Sequence, residues 1–84
     1  MTNNTPSQYK SLKNFLALEQ IKEDYKNLAL FNEELKNHRR NSDEWLKTAN
    51  ACARYLNRII ENKLILEFEY EEDHRMLMEL KGLS

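Results

Sequence analysis

The densest chemistry in this 84-residue chain lies between Glu61 and Asp73. Glu61, Glu67, Glu69, Glu71, Glu72 and Asp73 stand there against a single Lys63, with Phe68 and Tyr70 interleaved. Such a segment has two readings. One is a solvated face with the aromatics packed beneath it. The other is a docking surface, in which spaced carboxylates compete for the Lys and Arg rows that would hold a phosphate backbone, and Phe68 and Tyr70 serve as apolar anchors. On the second reading Glu67, Phe68, Glu69, Tyr70, Glu71, Glu72 and Asp73 bind a protein partner with a basic groove. The rest of the chain is net positive, and Lys36, Arg39 and Arg40, around His38, form a basic patch.

Metal and nucleophilic chemistry are poorly supplied. The soft ligands His38, Cys52 and His74 form no CxxC, HxxxH or HExxH motif, whereas structural zinc takes four ligands at short spacing. Cys52 falls on the apolar face of a helical pattern, where a thiol behaves as a small hydrophobe rather than an accessible nucleophile. The four serines have capping, solvent or terminal roles. The lone glycine, Gly82, cannot build a phosphate-cradling loop. No catalytic residue, metal or cofactor is therefore expected. Thirteen basic residues against fourteen acidic ones leave a net charge of −1, which argues against general nucleic-acid binding. A helix-turn-helix with residues 43–58 as its reading helix, Arg54 and Arg58 on one face, is opposed by too long a preceding helix and by a connection without the usual turn glycine.

The elements that position these groups are helices. One Gly, one Pro and no Val, with abundant Leu, Glu, Lys and Asn, suit helix and leave few residues for tight turns. Residues 1–4 read as a disordered polar tail. Thr5-Pro6-Ser7-Gln8 then reads as a capped helix start, with Thr5 as N-cap and Gln8 completing a capping box. Apolar residues recur at helical spacing from Tyr9 to Leu35, yet on two faces. Tyr9, Leu12 and Leu16 share one, and Leu18, Ile21, Tyr25, Leu28 and Leu35 another. Either the helix bends near Leu18–Gln20, or its halves pack on different neighbours. Asn32 takes a heptad core position in this register, or else sits at a solvated end.

Residues 38–42 form a polar connection in which Asn41 or Ser42 caps the next helix, with Asp43 and Glu44 in its first turn. Trp45, Ala49, Cys52, Leu56 and Ile59 give that helix, over roughly 43–62, the cleanest stripe in the chain. It is expected to lie antiparallel to the first, with Ile21, Tyr25, Leu28 and Leu35 facing the stripe. Residues 64–71 alternate apolar and acidic like a half-buried strand, but no second run offers a partner. Nothing between Asn62 and Glu72 breaks a helix, so the favoured reading continues the helix, with a final helix capped by Asp73 and ended by Gly82.

The expected architecture is thus all-α: an antiparallel hairpin extended to a small three-helix bundle, one domain over 1–84. The lone cysteine and the absence of a long apolar run suggest a cytoplasmic setting without membrane association. The leading functional expectation is a helical interaction module that regulates or inhibits a larger protein, such as a nucleic-acid-handling one blocked by the acidic surface. Inhibitors of mobile-element or anti-defence type are proteins of this kind. The alternatives are a small DNA-binding transcriptional regulator using the basic connection, and a self-assembling structural subunit. The two apolar faces of the first helix suggest a homodimer, unless the patch around Leu12, Phe15 and Leu16 packs on the C-terminal segment.

Overall fold

The computed structural model describes residues 5–82, with side chains from residue 11 onward. The tail 1–4 and the side chains of the expected capping box lie outside the described residues. Three helices follow in order: α1 (Thr5–Lys36), α2 (Asp43–Leu66) and α3 (Glu71–Leu80). Helix α1 packs against α2, and α2 against α3, so the chain is an all-α three-helix arrangement. No described helix is long and apolar enough to cross a membrane.

The hairpin turn is set locally. Asn41 takes a left-handed conformation (φ 68°), which its short polar side chain tolerates. Ser42 then caps α2, its Oγ accepting from the Trp45 N–H at 3.2 Å, and Asp43 and Glu44 occupy the first turn. From there the expected stripe is buried without exception: Trp45, Ala49, Cys52, Leu56 and Ile59, with Cys52, Leu56 and Ile59 fully enclosed. Cys52, Leu56 and Ile59 close on Ile21 and Leu28 of α1 and Leu77 of α3. Two expected core members sit further out. Tyr25 is at the rim, where its hydroxyl finds polar partners, and Leu35 is only half-buried. Asn32 is half-buried rather than solvated, and its Oδ1 accepts from the Cys52 thiol at 3.7 Å.

Helix α1 is one uninterrupted element, so no break separates its two apolar faces. Its halves instead have different surroundings. Ile21 and Leu28 lie in the core, while Leu12, Phe15 and Leu16 remain more than half exposed. Among the described residues, the C-terminal segment does not cover that patch.

The last third departs from both readings of residues 64–71. There is no strand, and the helix does not run through. Helix α2 extends to Leu66 and stops because Glu67 adopts the left-handed conformation (φ 60°). The Glu67 N–H donates to the Leu64 carbonyl and the Phe68 N–H to the Lys63 carbonyl, which is the double bond of a Schellman ending. That position usually takes glycine, and a residue with a Cβ costs about 1 kcal/mol there. Asp73 does not cap α3 either. The helix begins at Glu71 after Tyr70, which gives no side-chain cap, and Asp73 points inward from the first turn. Gly82 ends α3 in the expected left-handed role (φ 73°).

The hairpin carries a buried acid that apolar periodicity does not register. Asp24 has no exposure and accepts from Arg58 Nε at 2.8 Å, Arg58 Nη2 at 2.7 Å and Gln20 Nε2 at 3.1 Å. Arg58 itself is half exposed and holds its proton more firmly than usual, chiefly through the hydrogen bonds to Asp24. Removing one partner strands a charge, whereas removing both leaves apolar contact. Arg58→Ala should therefore cost about 3 kcal/mol or more, and Asp24→Leu combined with Arg58→Met about 1 kcal/mol or less, by urea denaturation. Leu56→Ala should cost about 2–5 kcal/mol in the same measurement.

Candidate functional site

Four residues, Glu67 to Tyr70, make the connection between α2 and α3, and two of the segment's six carboxylates, Glu67 and Glu69, lie in it. Glu67, Phe68, Glu69, Tyr70 and Glu71 are exposed and, with His74, line one shallow depression. Among the described residues no ion pair engages Glu67, Glu69 or Glu71. Among the described residues the basic patch of Lys36, Arg39 and Arg40 forms no ion pair with these carboxylates. Lys36 instead pairs with Glu33 on its own helix, and the Arg40 guanidinium lies 5.3 Å from the Trp45 ring centre. Glu72 is exposed but engaged, since Arg75 bridges it and Glu79 along α3.

Asp73 does not belong to this surface. It is 2 % exposed, and its carboxylate is the centre of a closed polar triangle. Tyr25 donates its hydroxyl to Asp73 Oδ1, Lys63 Nζ donates to Asp73 Oδ2 at 2.6 Å, and the same Nζ donates to the Tyr25 hydroxyl at 2.8 Å. The ammonium also lies 5.2 Å from the Tyr25 ring centre, a cation–π contact. The triangle ties all three helices together, because Tyr25 comes from α1, Lys63 from α2 and Asp73 from α3. Sequence reasoning grouped Asp73 with its acidic neighbours. The available signal was Lys63, the one cation in the run, ten residues before it.

Apolar side chains surround the acidic connection. Leu64, Ile65 and Phe68 are each about half exposed. Ile65 and Leu16 share a depression between α2 and α1, so the uncovered patch of α1 continues onto the end of α2. The arrangement offers apolar anchors beside unpaired carboxylates at one end of the molecule. The basic patch lies at the opposite end of α2, with Arg39 and Arg40 exposed in the turn and His38 against Glu34. Arg58, expected on a basic helix face beside Arg54, is taken up by Asp24.

His38, Cys52 and His74 are not brought together, and no group of three metal-capable side chains forms among the described residues. Cys52 is enclosed, and burial pushes its thiol pKa up, which opposes thiolate chemistry. No family model, no curated protein and no solved structure matches this chain.

Besides Arg58, three groups hold their protons more tightly in the fold than in the unfolded chain. Burial raises the Tyr25 pKa, helped by the hydrogen bond to Asp73. For Lys63, burial acts downward but is outweighed by the hydrogen bonds to Asp73 and Tyr25 and by the Asp73 charge, so the net shift is upward. The Cys52 shift is also upward. Each contribution to stability is fully present below the group's unfolded pKa and is lost as pH rises through its folded value. The melting temperature should therefore hold through neutral pH and fall above the ordinary range of these groups, about 8.5 to 10.4. A Tyr25→Phe, Lys63→Met variant should start lower and show a shallower alkaline fall by circular dichroism.

Proposed function

We propose that this chain is a helical protein-interaction module whose acidic end docks on a basic groove of a larger protein and blocks it. The observation that carries this reading is the turn at Glu67–Tyr70. It presents Glu67, Glu69 and Glu71 without internal ion pairs, beside half-exposed Phe68, Leu64 and Ile65. Carboxylates around apolar anchors suit a partner that offers Lys or Arg rows with apolar pockets between them. A groove of that kind binds nucleic acid, so the blocked protein is of the nucleic-acid-handling class, and the activity is that of a regulator or inhibitor. The setting is the cytoplasm, where a lone thiol such as Cys52 stays reduced. No catalytic step is proposed. Direct DNA reading has less support, because Lys36 and Arg58 already face carboxylates of their own chain.

The test is charge reversal at the three unpaired positions, Glu67→Lys, Glu69→Lys and Glu71→Lys, with folding checked by circular dichroism. Wild-type protein immobilised against host extract should capture a basic protein in a salt-sensitive manner, with capture at 0.5 M salt reduced at least about tenfold from that at 0.1 M. The reversed variant should retain its helices and lose that protein. A folded triple variant that keeps the same partner overturns the proposal.

A further inference from the structure

The break between α2 and α3 is not written into the local sequence. Glu67 occupies the left-handed position where glycine is preferred, Tyr70 provides no side-chain cap for α3, and residues 62–72 contain neither Gly nor Pro. The core stripe of α2 also does not end where the helix ends. Trp45, Ala49, Cys52, Leu56 and Ile59 alternate by four and three, and the same alternation continues through Lys63, Leu66, Tyr70, Asp73, Leu77 and Leu80. Four-three spacing kept over 36 residues, apolar except at Lys63 and Asp73, which pair with each other, is the pattern of one long helix with a single inward face. What holds the chain bent is tertiary: the Lys63–Asp73–Tyr25 triangle and the seating of Leu77 in the core.

We infer that the connection Glu67–Tyr70 is a hinge, and that α3 exchanges between two copies of this chain. Straightening the hinge joins α2 and α3 into one helix over 43–80. The vacated groove, with Tyr25, Lys63, Ile59 and Leu28 at its surface, then receives α3 of the second copy. The occupant is specified by the groove itself, which needs a carboxylate donor-matched to Lys63 and Tyr25 and an apolar residue one turn later. Asp73 and Leu77 of an identical chain satisfy both. The geometry closes with two-fold symmetry. In the bent chain α3 runs antiparallel to α2, pairing residue 73 with residue 63. Two straight helices laid antiparallel about an axis at residue 68 reproduce that pairing in trans, twice. Exchange of this kind keeps each docking contact and releases the left-handed conformation of Glu67 in both chains. It does not depend on the acidic end having a partner.

Charge exchange across the triangle gives the test. One chain carries Lys63→Asp and a second carries Asp73→Lys, so each alone places like charges together, whether bent or exchanged with its own kind. In an exchanged pair of the two variants, both docking sites regain an opposite-charge contact. The chains are unfolded together in urea, refolded at about 100 μM, and analysed by native mass spectrometry and circular dichroism. The expected result is a one-to-one heterodimer at twice the monomer mass, melting well above either variant alone. A mixture that remains two monomers, or melts as the superposition of the separate variants, overturns the proposal, and regained helicity reports even if neither variant folds alone. Wild-type hinge variants give an independent measure. Glu67→Gly relieves the bent form and weakens a through-going helix, so it should lower the dimer association constant by roughly tenfold or more relative to Glu67→Ala. Equal constants for the two variants would also sink the hinge.

Discussion

A carboxylate shut away from water must be given donors, and at Asp73 those donors come from two different helices. This requirement organises the last third of the chain. Helix α3 can seat at only one register along the hairpin, the one that brings Asp73 between Lys63 and Tyr25, because any slip leaves a buried charge unpaired. Leu77, one turn on, then falls against Leu56, Ile59 and Leu28. The chain must also reverse direction within four residues after Leu66, which places Glu67 in a conformation its Cβ disfavours. The strain in the connection and the docking of α3 are two sides of one constraint.

The second buried acid plays the corresponding part in the hairpin. A stripe of Leu, Ile and Ala packs nearly as well when slid by one heptad, so apolar burial alone leaves the alignment of α1 on α2 loosely determined. The bidentate contact from Arg58 to Asp24 removes that freedom, since only one alignment brings them together. The desolvation cost of the two ions offsets much of their attraction, and what remains is chiefly positional. In a domain this small, where the enclosed apolar core is a few residues deep, two such pairs settle which helices meet and at what height.

The hairpin was legible from the sequence because its determinants are local or periodic. Ser42 caps, Asn41 turns, and the Trp45-to-Ile59 stripe reports its own buried face. Periodicity places Tyr25 too deep because it counts an aromatic as apolar and is blind to the hydroxyl. Asp24 and Asp73 were not legible as core, since a carboxylate is read as surface until a partner is known, and the partners lie 34 and 10 residues away. The same holds for the break at Glu67. Every residue from Asn62 to Glu72 tolerates helix, so the reading that continued the helix followed the local preferences faithfully. The bend reflects a contact between distant side chains that outweighs those preferences.

That override also determines what the acidic run can do. On a continuous helix, Glu67 and Glu69 would stand on well-separated faces, because residues two apart do not share one. Glu67 and Glu71, four apart, would share a face of such a helix, but Glu69 would stand on another, so the three would present no single surface. With the helix broken at Glu67, Glu67 and Glu69 fall in the turn, Glu71 opens α3, and all three line a single depression with Phe68 and Tyr70. The charges then sit close together at the tip of the molecule, where mutual repulsion is relieved only by solvent, salt or an approaching cationic surface. Asp73 is the member of the run that leaves this surface for the interior, and by leaving it creates the turn on which the others are displayed. The segment is therefore divided by position, with Asp73 buried in the triangle, Glu72 bridged to Arg75, and Glu67, Glu69 and Glu71 exposed.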